Sequence, residues 1–165
     1  MITKTSKTYL KILTLKDIIL TGKILSVDPS TGSASSQPGF AWFDKGQLIE
    51  SGELPVDPRD ERHIRLAEIS RTIREDFEQP DLLIVEYIPP VRYGSKGMNN
   101  ISLMALQKAI GAIMGARPIP YMLEIPAVTW KNYKPKDYKK SDEHDSVAMG
   151  ICAITVARDI LKNEK

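Results

Sequence analysis

"DLLIVEY" (residues 81–87) decides how this chain is built. It holds four apolar residues in a row, Leu82 to Val85, then Glu86, with "QP" before it and "IPP" after it. An apolar run this short, bounded by prolines, reads as a β-strand covered on both faces. Helices must then flank a sheet, and the neighbouring segments agree. Upstream, "PRDERHIRLAEISRTIREDFEQ" (58–79) places Ile64, Leu66, Ala67, Ile69, Ile73 and Phe77 mostly on one helical stripe amid many charges. Downstream, "MNNISLMALQKAIGAIMG" (98–115) is a far more apolar helix, with Asn100 or Ser102 near its cap and Gly115 at its end.

Working outward, "KILSVD" (23–28) is a β-rich run halted by Pro29, and "STGSASSQPG" (30–39) is loop chemistry throughout. "FAWFD" and "QLIESGEL" form a hairpin around a Lys45-Gly46 turn. "PIPYMLEI" (118–125) is a further strand, "VTWKNYKPKDYKK" (128–140) a basic, aromatic loop, and the last helix runs from about Asp142 to Leu161. The order β-β-β-α-β-α-β-α predicts an α/β fold with a five-stranded mixed sheet: three antiparallel strands joined by hairpins, two parallel strands reached through helices. Residues 1–22 stay open. "YLKILTLKDIIL" mixes two periodicities and is either an edge strand or short helix covering the sheet, or an arm that docks on a partner or on DNA. The expected organisation is an N-terminal extension, 1–22, and one domain, 23–165.

The 165 residues are 42% hydrophobic and 27% charged, an ordinary globular composition, with a net charge of only +2. Any nucleic-acid footprint must therefore be a local patch. Cys152, the single cysteine, sits in an apolar run, which excludes an internal disulfide and fits a buried thiol in a reducing compartment. Lysines at 4, 7, 11, 16 and 23 interrupt the N-terminus, so no signal peptide is read there, and no segment approaches the ~20 apolar residues of a membrane span. The expectation is a cytoplasmic protein.

Strand alternation puts Ser26 and Asp28 on one face of the first strand, and Leu82, Ile84 and Glu86 on one face of "LLIVEY". If the two strands are neighbours, Asp28 and Glu86 meet near their carboxyl ends, where open α/β sheets bind ligands. Each has a plainer explanation: Asp28 before Pro-Ser as an Asx-turn residue, Glu86 as a strand end emerging into solvent. "DEHD" (142–145) opens the last helix, where acids are favoured by the helix dipole. Asp142 and Asp145 are three apart, and their face continues through Met149, Cys152, Ala153 and Val156, the core-facing stripe. Glu143 lies off that stripe. Four converging carboxylates repel one another, and divalent cations relieve that repulsion. Hard oxygen ligands favour Mg²⁺, with Mn²⁺ as substitute, and two ions ~4 Å apart would activate a water and stabilise a leaving oxygen.

These pieces, in this order, resemble the RuvC family of Holliday-junction resolvases within the RNase H-like superfamily. "ILSVDPST" with the following hairpin resembles the family's first acidic strand, and "PDLLIVEY" its second. "NNISLMALQKAIGAI" is similar to the dimer-forming helix, and "DEHDSVAMGICA" resembles the closing Asp-x-x-Asp-(Ala/Ser) helix. The resemblance spans roughly residues 23–160. It implies that Asp28, Glu86, Asp142 and Asp145 are catalytic metal ligands, with two Mg²⁺ per site, branched DNA as substrate and a homodimer through helix 98–115. His144 is either a residue supporting those ligands or a solvent-exposed neighbour. Two departures stand out: "GSASSQP" lengthens the loop after Asp28, and only "KNYKPKDYKK" occupies the place of a further helix, as in a shortened phage-type member.

Lys131, Lys134, Lys136, Lys139 and Lys140, interleaved with Trp130, Tyr133 and Tyr138, form the clearest basic patch. It is either a phosphate clamp or a solubilising loop. Arg92, Tyr93 and Lys96 in "PPVRYGSKGMNN" lie in the loop that, by the same resemblance, would reach into the junction, with Tyr93 either the aromatic wedge that some relatives place there or a packing cover. The function expected is a Mg²⁺-dependent, structure-selective endonuclease. The alternatives are a non-catalytic RNase H-like binding module and a related nuclease for flaps or RNA–DNA hybrids.

Overall fold

The computed structural model describes residues 2–30, 37–90 and 98–164. The helices are α1 (Lys7–Thr21), α2 (Arg62–Asp76), α3 (Met98–Ala116), the single turn α4 (Ala127–Trp130) and α5 (Asp142–Asn163). The strands are β1 (Lys23–Asp28), β2 (Gly39–Asp44), β3 (Gln47–Glu53), β4 (Leu82–Tyr87) and β5 (Tyr121–Pro126), in spatial order β3-β2-β1-β4-β5. β1, β2 and β3 pair antiparallel, and β4 and β5 join as parallel strands. This is the mixed sheet expected from the sequence.

Alternation sorts the core into two layers. Leu25, Val27, Phe40, Leu83 and Val85 face α2 and α3, where they meet Ile69, Ile73, Leu106, Ile110 and Ile113. Ile24, Ala41, Phe43, Leu82, Ile84, Leu123 and Ile125 face the opposite way, against α1 and α5. The four-residue apolar run of β4 is thus consumed by both layers, as a doubly covered strand requires.

Residues 7–21, undecided from the pattern alone, form a helix because its apolar residues find a partner surface. Ser6 caps α1 by accepting the Tyr9 N–H (3.1 Å), and Ile12, Leu15 and Ile19 are buried in the layer containing α5. α3 starts two residues ahead of Asn100 and carries Gly115 inside its last turn rather than beyond it. Residues 128–133, read as loop, fall in α4 and a 3₁₀ turn (Lys131–Tyr133). Trp130, counted among the aromatics of the basic patch, is instead a core side chain, 1% exposed. Among the described residues no helix is long and apolar enough to cross a membrane.

α5 crosses β2 at very short range. A Cβ on Gly150 would stand 2.1 Å from Cε2 of Phe43, and one on Gly39 would stand 2.1 Å from the Asp142 carbonyl carbon. Farther along α5, Arg158 donates to the Gly46 carbonyl in the β2–β3 turn (2.8 Å). Gly150→Ala should overpack this crossing and destabilise the fold by ~1–3 kcal/mol. In a domain of this size that is a melting point lower by ~2–4 °C per kcal/mol. An unchanged thermal transition would show that the crossing is looser than described.

Candidate metal centre

The first turn of α5 is held over the carboxyl ends of β1 and β4 by a small set of polar contacts. Ser141 caps the helix, accepting the His144 N–H (3.2 Å). Ser146, fully buried, does more. Its Oγ accepts the backbone N–H of Asp28 (2.8 Å), and its proton is shared between the carbonyls of Asp142 (2.8 Å) and Gly39 (3.0 Å). One hydroxyl thus ties the end of β1, the start of β2 and the first turn of α5 together.

The result is a cluster of acids. Oxygens of Asp28, Asp142 and Asp145 all lie within 4.8 Å of one another. Glu86 lies outside that triangle, one residue beyond the Val27–Val85 pair, and its charge still reaches Asp28. β1 and β4 are thus neighbours, the condition under which alternation brings Asp28 and Glu86 to one face. Asp28 also satisfies its plainer explanation, because its Oδ1 accepts the Ser30 N–H (3.1 Å) in an Asx-type turn. Ser30 adopts φ +59°, a left-handed conformation that non-glycine residues adopt at a cost and that collects at functional sites.

The electrostatics are those of crowded acids. Burial pushes the Asp28 carboxyl well above its ordinary range; Asp142, Asp145 and Glu86 push the same way, and the Ser30 N–H opposes them. Asp142 is raised by burial and by the charges of Asp145 and Glu53, against a hydrogen bond from the Ser30 side chain. Burial also raises Glu86, opposed by Lys131 and reinforced by Asp145. The buried Trp130 indole N–H meets no hydrogen-bond geometry, yet it lies near enough to Glu86 to favour the charged carboxylate.

The donor set fits a hard divalent cation. Oxygens on one octahedral Mg²⁺ at ~2.1 Å sit ~3.0 Å apart when cis and ~4.2 Å apart when trans, so a triangle of oxygens within 4.8 Å of one another would draw in around the ion. Asp142 Oδ2 is buried with no hydrogen-bond partner, an acceptor left over by the protein's own contacts.

Other predicted residues fall in varied places. Glu143 accepts a hydrogen bond from Ser51 Oγ on β3 (2.7 Å), which makes it a tie between α5 and the hairpin. His144 Nδ1 accepts the Lys139 N–H (2.9 Å), and its ring meets that of Tyr138 edge-on at 5.8 Å. Lys131, Lys134, Lys136, Lys139 and Lys140 are all exposed. Arg92, Tyr93 and Lys96 lie outside the described residues. The sequence reading missed Ser146, Glu53 and the link from Tyr138, whose hydroxyl donates to Asp145 Oδ1. Only Ser146 left a signal, as the small residue following the second aspartate.

No protein-family model matches the chain, and no curated protein matches it. Solved structures do. RuvC of Thermus thermophilus in complex with a Holliday junction substrate superimposes with a TM-score of 0.54 at 13% identity, covering 84% of this chain and 95% of that one. A second Thermus thermophilus RuvC structure gives 0.52 at 14%, covering 85% and 96%. The chain therefore has the RuvC-type, RNase H-like fold.

Raised carboxyls mean that the ion-free fold binds protons more tightly than the unfolded chain. Their stabilising contribution is full below about pH 4, the unfolded range, and is lost as pH climbs through the raised values. Asp28→Asn removes one such charge. In EDTA at pH 7 the variant should melt a few degrees above wild type, the scale of ~1 kcal/mol, with the gap closing near pH 4. A variant that melts lower at pH 7 would contradict the reading.

Proposed function

We propose that this chain is a divalent-metal-dependent endonuclease that cuts branched DNA, with four-way junctions as the substrate class. One observation carries the reading. Asp28, Asp142 and Asp145 converge on an unsatisfied carboxylate oxygen, beside Glu86, at the carboxyl ends of the central strands of a RuvC-type fold. Acids buried together in a stable fold call for positive charge, and oxygen donors favour Mg²⁺ or Mn²⁺. Bound cations, two per site, would supply water activation and charge neutralisation at the departing 3′ oxygen.

The chain's own residues supply the rest. Asp28, Asp142, Asp145 and Glu86 hold the cations in fixed positions. Lys131, beside Glu86, and the exposed Lys134, Lys136, Lys139 and Lys140 give the backbone of bent DNA a positive track leading to the acids. The RuvC neighbour that superimposes on this chain was solved with a Holliday junction, which supports the same substrate class. Cutting two opposed strands needs two sites, hence a homodimer. The outer face of α3 suits that contact, with Ile101 and Met104 exposed and open space over Gly111 and Gly115.

On a synthetic four-way junction with Mg²⁺, wild type should introduce paired cuts, and Asp28→Asn should be slower by at least ~100-fold. Binding without cleavage under Mg²⁺ or Mn²⁺ would select a non-catalytic junction-binding module. Equal cutting of linear duplex would rule out resolution, and faster cutting of flaps or RNA–DNA hybrids would reassign the substrate. Replacing both Lys136 and Lys139 with Gln should flatten the log–log salt dependence of junction binding by roughly 2 if each contacts one phosphate. An unchanged slope would remove both from the DNA track.

A further inference from the structure

We propose that Tyr138 is a positioning residue for the metal ligand Asp145, a role that the basic-loop reading of residues 128–140 did not assign. The inference rests on the metal-site reading above and deepens it. Asp145 is the ligand farthest into α5, and its Oδ1 accepts the Tyr138 hydroxyl proton. A phenol at neutral pH is a donor, so it engages one carboxylate oxygen and fixes the orientation of the group.

Tyr138 is itself held on several sides. Its backbone N–H donates to the Pro135 carbonyl (3.0 Å), closing a turn that points the ring back toward α5. The next N–H, of Lys139, donates to Nδ1 of His144 (2.9 Å), which fastens the loop to the helix carrying Asp145. The ring lies edge-on to His144 at 5.8 Å, and the Lys134 ammonium stands 4.2 Å from its centroid. That cation polarises the phenol and adds positive charge near the acids. A loop without regular structure thereby delivers one fixed donor to one ligand, the outer-sphere arrangement that sets ligand geometry in metal sites generally.

Tyr138→Phe deletes the hydroxyl and keeps the ring against His144 and Lys134. Titration of the full chain with Mn²⁺, followed by calorimetry, is the direct test, with Asp28→Asn as the ligand control. Tyr138→Phe should bind Mn²⁺ about tenfold more weakly, while its melting point in EDTA stays within a few degrees of wild type. Unchanged or tighter Mn²⁺ binding overturns the positioning role and leaves the metal centre standing. Weaker binding that only tracks a large drop in melting point overturns it as well, since general loosening would account for it. If wild type takes up no Mn²⁺, or Asp28→Asn binds it as wild type does, the metal-centre reading falls together with this one.

Discussion

The close crossing of α5 over β2 is the constraint on which the rest of this structure depends. Two glycines let helix and sheet approach closely, Gly39 against the backbone of the first turn and Gly150 against the ring of Phe43. Between them Ser146 spends a single hydroxyl on β1, β2 and α5. Any side chain at Gly39 would lift the start of α5 away from the end of β1. Asp142 and Asp145 would then part from Asp28, so the packing of the core and the geometry of the acids are one constraint.

That approach creates an electrostatic problem which the protein's own groups offset only in part. Three carboxyls are pushed toward their neutral forms by burial and by one another. The opposing groups are few: Ser30 for Asp28 and Asp142, and Lys131 and the Trp130 indole for Glu86. Asp142 Oδ2 is left without a partner. A site that only needed to be stable would replace these acids with apolar or amide side chains. Retaining them in a buried cluster makes sense where cations complete the charge balance.

Much of the fold was legible because its signals are local. The Lys45-Gly46 turn appears where the sequence placed it, both residues at positive φ as a tight two-residue hairpin needs. β1 and β4 carry the expected boundaries, and Cys152 is buried, its thiol pushed up to about 12 by that burial. The aspartates of the last helix were placed correctly on the core-facing stripe, because Asp142 and Asp145 precede Met149 and Cys152 at helical spacing. What was left open or missed shares a cause. Residues 7–21 were ambiguous because α1 owes its stability to α5, about 130 residues away. Trp130 looked like a loop aromatic because nothing near it in sequence reveals the layer it enters. The link from Tyr138 to Asp145 was missed for the same reason.

By itself, then, the sequence determined the alternation of strands and helices, the two faces of each strand, and which carboxylates stand at strand and helix ends. These follow from periodicities of two and 3.6 residues and from turn chemistry, which are properties of short segments. Only the tertiary structure decided that Asp28 and the start of α5 close to within 4.8 Å while Glu86 stays outside that cluster, and that Tyr138 reaches Asp145. Those distances depend on how near a helix can approach a sheet, and Gly39 and Gly150 set that limit only once β2 and α5 are stacked.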